Sequence, residues 1–109
     1  MSDAIWAALA DPHRRAVLDL LRREGGCTVG RIVDELGASQ PATSKHLRVL
    51  REAGMVQVHK DAQRRVYTVD PEAVARVDAW LEPYRKLWNE SLDALDRHLD
   101  TQPGTPKHS

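Results

Sequence analysis

TVGRIVDELGASQPATSKHLRVLREAGMVQVHKDAQRRVYTVDP, residues 28–71, holds two helix signatures in close succession and then a change of period. Thr28 is a side-chain cap ahead of Ile32, Val33 and Leu36, whose spacing suits one face of a short helix. Gly37 stands just past its end, the usual stop position. Ser39 then caps a second helix, with Leu47 and Leu50 on one face, that runs to Gly54. Gly37-Ala38-Ser39 joins the two. Beyond Gly54, Met55, Val56 and Val58 lead into a polar stretch from His59 to Arg65, and Val66, Tyr67 and Val69 follow. This pattern predicts a β-hairpin closed by a charged loop. Two short helices on a three-residue turn, followed at once by a hairpin, give the order of a winged helix-turn-helix.

Working outward, Ile5, Trp6 and Leu9 predict a short helix over 4–9. Asp11-Pro12 reads as a cap followed by proline at the first helical position. The helix it starts carries Ala16, Val17, Leu18, Leu20 and Leu21 and stops at Gly25-Gly26. Asp70-Pro71 repeats the same start. The last helix carries Val74, Val77, Leu81, Tyr84, Trp88, Leu92, Leu95 and Leu99, a continuous apolar stripe at three- and four-residue gaps. Pro83 interrupts that stripe and predicts a kink or break near Glu82. The expected fold is mostly α with a small β-hairpin (α+β), in the order ααααββα and dimeric. Residues 1–100 are expected to form one DNA-binding and dimerisation domain, and 101–109 (TQPGTPKHS) a disordered tail.

The chain has 109 residues, 41% hydrophobic and 29% charged, enough for one modest core. No apolar run approaches the ~20 residues that span a bilayer, and residues 1–10 do not resemble a signal peptide. A single cysteine, Cys27, cannot form an internal disulfide, and a cytoplasmic setting is expected. Formal net charge is zero, with 16 Lys/Arg against 16 Asp/Glu, yet the charge is unevenly placed. Residues 39–65 hold 6 Lys/Arg and 2 Asp/Glu, a net of +4, while residues 66–109 hold 5 and 8, a net of −3. Nucleic-acid binding needs local positive charge rather than a basic average.

In a helix-turn-helix the second helix enters the major groove and its first residues reach base edges. With Thr43, Leu47 and Leu50 turned to the core, Gln40, Pro41, Ser44, Lys45 and Arg48 fall on the opposite face. Gln40 and Ser44 suit base edges, and Lys45 and Arg48 suit phosphates or a guanine edge. The Ser39 cap leaves a positive helix end near a phosphate backbone. His46 lies beside the buried stripe and is read as a packed or capping histidine. Lys60, Gln63, Arg64 and Arg65 in the hairpin loop suit the phosphate backbone or the minor groove. Double-stranded DNA is the partner these residues imply.

The quoted run resembles the ArsR/SmtB family of bacterial repressors, and ALADPHRRAVLDLL (residues 8–21) is similar to that family's second-helix region. The likeness covers residues 4–99. It implies homodimers that bind operator DNA and repress transcription, with release by an inducer that the sequence does not name. It implies DNA contacts from Ser39, Gln40, Ser44, Lys45 and Arg48, and from Arg64 and Arg65 in the wing. The family's metal sensors carry a cysteine box whose positions fall at Thr28, Gly30 and Val33, none of them a soft ligand. Asp96-Arg97-His98 matches the Asp-X-His of a second family metal site, but its remaining ligands would fall at or beyond Ser109. The final segment WLEPYRKLWNESLDALDRHL, residues 80–99, is similar to a metal-box-free branch of the family, and no metal and no cofactor are expected. Cys27 is read as a small hydrophobe at a helix start.

Four of the five Trp and Tyr residues (Trp6, Trp80, Tyr84, Trp88) lie in the first and last helices, a pattern that suits an interface core. The resemblance implies that these helices pair the subunits. Ile5, Trp6, Leu9, Trp80, Tyr84, Leu87, Trp88, Leu92 and Leu95 are the candidate dimer contacts. A two-fold dimer would set its recognition helices ~34 Å apart and read an inverted repeat. Catalysis is not expected: Ser44 and His46 sit two apart on a helix and do not face each other. A winged-helix protein-interaction module, and a repressor sensing metal or redox state through an atypical site, are the alternative readings.

Overall fold

A computed structural model of the chain describes residues 3–100; the expected tail, 101–109, lies outside the described residues. In order, the elements are α1 (Asp3–Ala10), α2 (Pro12–Glu24), α3 (Val29–Leu36), α4 (Gln40–Glu52), β1 (Val56–Asp61), β2 (Arg64–Val69) and α5 (Pro71–Asp100). This is the α+β order read from the sequence. Two compact units divide between Arg76 and Val77. No described helix is long and apolar enough to cross a membrane.

The helix ends of the first unit follow from local chemistry. Asp11 precedes Pro12 and accepts hydrogen bonds from the amides of His13 (2.7 Å) and Arg14 (3.3 Å). Desolvation at this junction raises the Asp11 carboxyl, but those amides and the Arg14 and His46 charges outweigh it and hold the group below its usual value. The cap's contribution is therefore full above the ordinary carboxylate range and fades as acid protonates the folded form. Thr28 Oγ1 accepts from the Arg31 amide, and Ser39 Oγ from the Ala42 amide. Gly25 and Gly37 close α2 and α3. Asp70 Oδ1 accepts from the Glu72 amide at the start of α5.

The end of α1 is closed by side chains from α2. Arg14 donates Nε to the Ala8 carbonyl (2.8 Å) and Nη2 to that of Ala7 (3.0 Å), and Arg15 donates to that of Leu9 (2.7 Å). These are carbonyls that a helix C-terminus leaves without internal partners. The core beneath is aliphatic: Ile5 and Ala8 of α1, Val17, Leu20 and Leu21 of α2, Ile32 of α3, Leu47 and Leu50 of α4, with Met55 and Val56. Tyr67 is the one Trp or Tyr ring buried among the described residues.

The structure corrects three expectations. Ile5, a candidate dimer contact, is 1% exposed and belongs to this core. The i, i+3 pair Ile5 and Ala8 turns inward, which leaves Trp6 and Leu9 to the outer side of α1. The charged loop expected over His59–Arg65 shrinks to Ala62-Gln63, because the strands stay paired to their tips, with Lys60 opposite Arg65 and Asp61 opposite Arg64. Polar side chains do not stop a ladder whose hydrogen bonds come from the backbone.

Within the second unit the helix runs through Pro83, so of the expected kink or break the break does not occur. Proline offers no N–H to the Ala79 carbonyl one turn back. Beside that gap Arg85 donates to the Asp78 carbonyl (2.7 Å) and to its Oδ1 (2.6 Å). This ties the turn before the proline to the turn after it, although the Ala79 carbonyl is not the one it reaches.

Arg14→Ala strips two carbonyls of a charged donor. Urea unfolding should show stability falling by ~2 kcal/mol. Arg14→Lys should restore little of it, since an ammonium cannot hold two carbonyls with a planar fork.

Candidate nucleic-acid interface

The burial of one stripe of α4 orients the whole site. Thr43, Leu47 and Leu50 are buried, at i, i+4 and i+7. Gln40, Pro41, Ser44, Lys45 and Arg48 then project away from the core, and all five are exposed, as is Ser39 at the cap. Glu52, the final residue of α4, is its sole acid, against Lys45, Arg48 and Arg51. The outward face therefore runs from a dipole-positive, acid-free start through two cations. His46 is half-buried and stacks on the ring of His13, with centroids 5.9 Å apart and planes 19° apart. It packs α4 against the start of α2 and does not belong to the outward set.

The wing brings a second group of cations together. Lys60, Arg64 and Arg65 are exposed at its tip. Arg64 pairs with Asp61 across the turn at 2.9 Å, an exposed bridge of small worth. Lys60 and Arg65 stand directly opposite each other in the register. Like charges at opposed positions weaken a hairpin, so this pairing is a cost to the isolated fold that an anion would relieve.

The wing is held at its other end by a third strand-like contact. Cys27 and Tyr67 exchange both backbone hydrogen bonds, at 3.0 and 2.8 Å. The Asp70 amide donates to the Met55 carbonyl at 2.8 Å and closes the hairpin base. Cys27 is 4% exposed. Burial first, then the Glu24 carboxylate, push its thiol pKa up, so the neutral, unreactive form is favoured. It is a packed side chain, as expected. Among the described residues no three His, Cys, Asp or Glu gather to hold a metal ion.

The candidate dimer residues fall differently. Trp6 is partly exposed and Leu9 half-buried on α1. Leu87 and Trp88 are 61% and 65% exposed, and Tyr84, Leu92 and Leu95 are also open. Trp80 and Tyr84 lie ring to ring, with centroids 4.6 Å apart. Sequence reasoning missed two positions with structural roles in the first unit. Arg14, which closes α1, gave no signal. Gly26 was absorbed into a helix stop, although a second glycine after the first exceeds what a stop needs.

A capped helix offering polar and basic side chains, beside a basic hairpin, defines a winged helix-turn-helix transcriptional regulator. Residues 9–59 match the helix-turn-helix domain family. The chain is 35% identical over 100 residues to the HTH-type transcriptional regulator Rv2034 of Mycobacterium tuberculosis, covering 92% of this chain and 90% of that protein. Its structure resembles that of the ArsR family transcriptional regulator RHA00566, with a TM-score of 0.68, 36% identity and coverage of 80% and 94%. It also resembles the homodimeric winged helix-turn-helix DNA-binding domain Mb0332 of Mycobacterium bovis, described as a possible ArsR-family transcriptional regulator, with a TM-score of 0.63, 28% identity and 77% coverage of each. The chain belongs to the ArsR family of transcriptional regulators.

Ser39→Ala removes the cap that starts α4 and should lower unfolding free energy by ~1 kcal/mol. Ser39→Asp keeps an acceptor there and should melt within a few degrees of the parent. Thermal unfolding followed by circular dichroism reads both.

Proposed function

We propose that the chain acts as a homodimeric repressor that reads an inverted-repeat DNA operator with α4 and grips the flanking backbone with the wing. The observation that carries this reading is the exposure of five cations within one stretch of the chain: Lys45 and Arg48 on α4, and Lys60, Arg64 and Arg65 on the wing. Gln40 and Ser44, near the start of α4, are the base readers, and Pro41 shapes the approach. Ser39 brings the helix end to a phosphate. Lys45, Arg48, Lys60, Arg64 and Arg65 neutralise the backbone, and the opposed Lys60 and Arg65 are relieved of mutual repulsion there. A dimer lying across its operator excludes polymerase, which makes the regulator a repressor.

Residues 1–100 serve as one DNA-binding and dimerisation domain. The exposed Tyr84, Leu87, Trp88, Leu92 and Leu95 form an apolar stripe of the kind that marks an association surface. The homodimeric Mycobacterium bovis neighbour supports the same assembly. Thr28, Gly30 and Val33 carry no soft ligand, so regulation runs without the family's cysteine box.

Two experiments test this. On duplexes selected from a random library, Gln40→Ala should lose discrimination between selected and scrambled DNA, whereas Arg65→Ala should weaken both alike and flatten the salt dependence. Equal loss on both duplexes for Gln40→Ala removes it as a reader. In light scattering the wild type should run at twice the 12.3 kDa chain mass, and Trp88→Glu as a monomer with native circular dichroism. A wild-type monomer at micromolar concentration contradicts the dimer.

A further inference from the structure

We infer that Gly26 is a positioning residue for DNA binding: its missing side chain lets β2 close onto the α2–α3 junction, and this sets where the wing cations lie relative to α4. The inference rests on the proposed DNA contacts of the wing. Gly26 sits between the end of α2 and Cys27, whose backbone pairs with Tyr67. Its φ is 136°, a conformation that L side chains rarely adopt. A Cβ built there would stand 3.0 Å from Val66 Cγ1, 3.1 Å from Thr68 Cγ2 and 3.5 Å from the Tyr67 carbonyl oxygen. Both methyl neighbours belong to β2 and flank the residue that makes the bridge.

Arg65 precedes Val66 and Arg64 precedes Arg65, so a displacement of Val66 is carried directly to the wing tip. The Cys27–Tyr67 pair ties β2 to the α2–α3 junction, while the bond from the Met55 amide to the Leu50 carbonyl ties the start of the hairpin to α4. Gly25 provides the contrast: it also has positive φ, 71°, yet a Cβ there meets nothing within 4 Å. Substitution at either glycine strains the backbone, but only at Gly26 does the added atom press on the wing.

The test is a double-mutant cycle on selected duplex DNA. Arg65→Ala should weaken binding roughly fivefold in the parent and in Gly25→Ala, but less than twofold in Gly26→Ala, where the wing is already misplaced. Gly26→Ala should lose more thermal stability than Gly25→Ala, so every affinity is measured well below the melting temperature of the variant, where circular dichroism shows it folded. Val66→Ala removes the nearer methyl and should return part of the Arg65 effect to Gly26→Ala, the Thr68 methyl remaining. If Gly26→Ala does not fold, Val66→Ile supplies the extra methyl from the wing side and should mute the Arg65 effect in its place. A full fivefold Arg65 effect in both Gly26→Ala and Val66→Ile overturns the positioning role while leaving the wing contact intact. No Arg65 effect in the parent overturns both the inference and the DNA reading of the wing.

Discussion

Burial of Thr43, Leu47 and Leu50 along one side of α4 is the constraint on which the rest of the site depends. A helix has one orientation about its axis that buries a given stripe. Once these three residues meet Ile32, Leu20 and Leu21 in the core, the directions of Gln40, Ser44, Lys45 and Arg48 are determined. Among the described residues no side-chain hydrogen bond or ion pair holds Gln40 or Arg48 there. The reading face is a consequence of packing on the far side of the same helix, reinforced by the Ser39 cap and the His13–His46 stack.

Electrostatics adds a second layer, set on a neutral chain. Sixteen cations and sixteen acids cancel in total, but in α2 and α3 much of the charge is spent internally: Arg22 and Arg23 on Asp19, Arg31 on Glu24 and Glu35. The segment from Ser39 to Arg65 keeps an excess that the fold does not neutralise locally. The opposed Lys60 and Arg65 stand out because a hairpin under selection for stability alone would place an acid at one of those positions. Charge of this kind steers and holds a polyanion.

The helices were legible because their ends are decided within four or five residues. Asp11-Pro12, Thr28, Ser39, Gly37 and Asp70-Pro71 each state a start or stop in local chemistry, and each stands where that chemistry puts it. The outward face of α4 was legible for the same reason, since its period is local. What escaped depends on neighbours distant in sequence. Ile5 and Leu9 look alike on a helical wheel, and only the packing of α1 separates the core residue from the outer one. The wing strands extend through polar residues because their partners continue, which no single strand announces. Gly26 matters through Val66 and Thr68, forty residues on. Pro83 signals a kink or a break, yet the helix continues through it.

The central claim is that α4 and the wing together hold a DNA backbone. The most direct measurement is the slope of log affinity against log salt for the wild-type protein on a selected duplex. Five cations per subunit in a dimer allow up to ten phosphate contacts, each worth a slope of about −0.9. The account predicts a steep, linear fall, ~10³-fold or more between 50 and 200 mM salt. A slope near zero, or a failure to enrich any duplex from a random library, contradicts it.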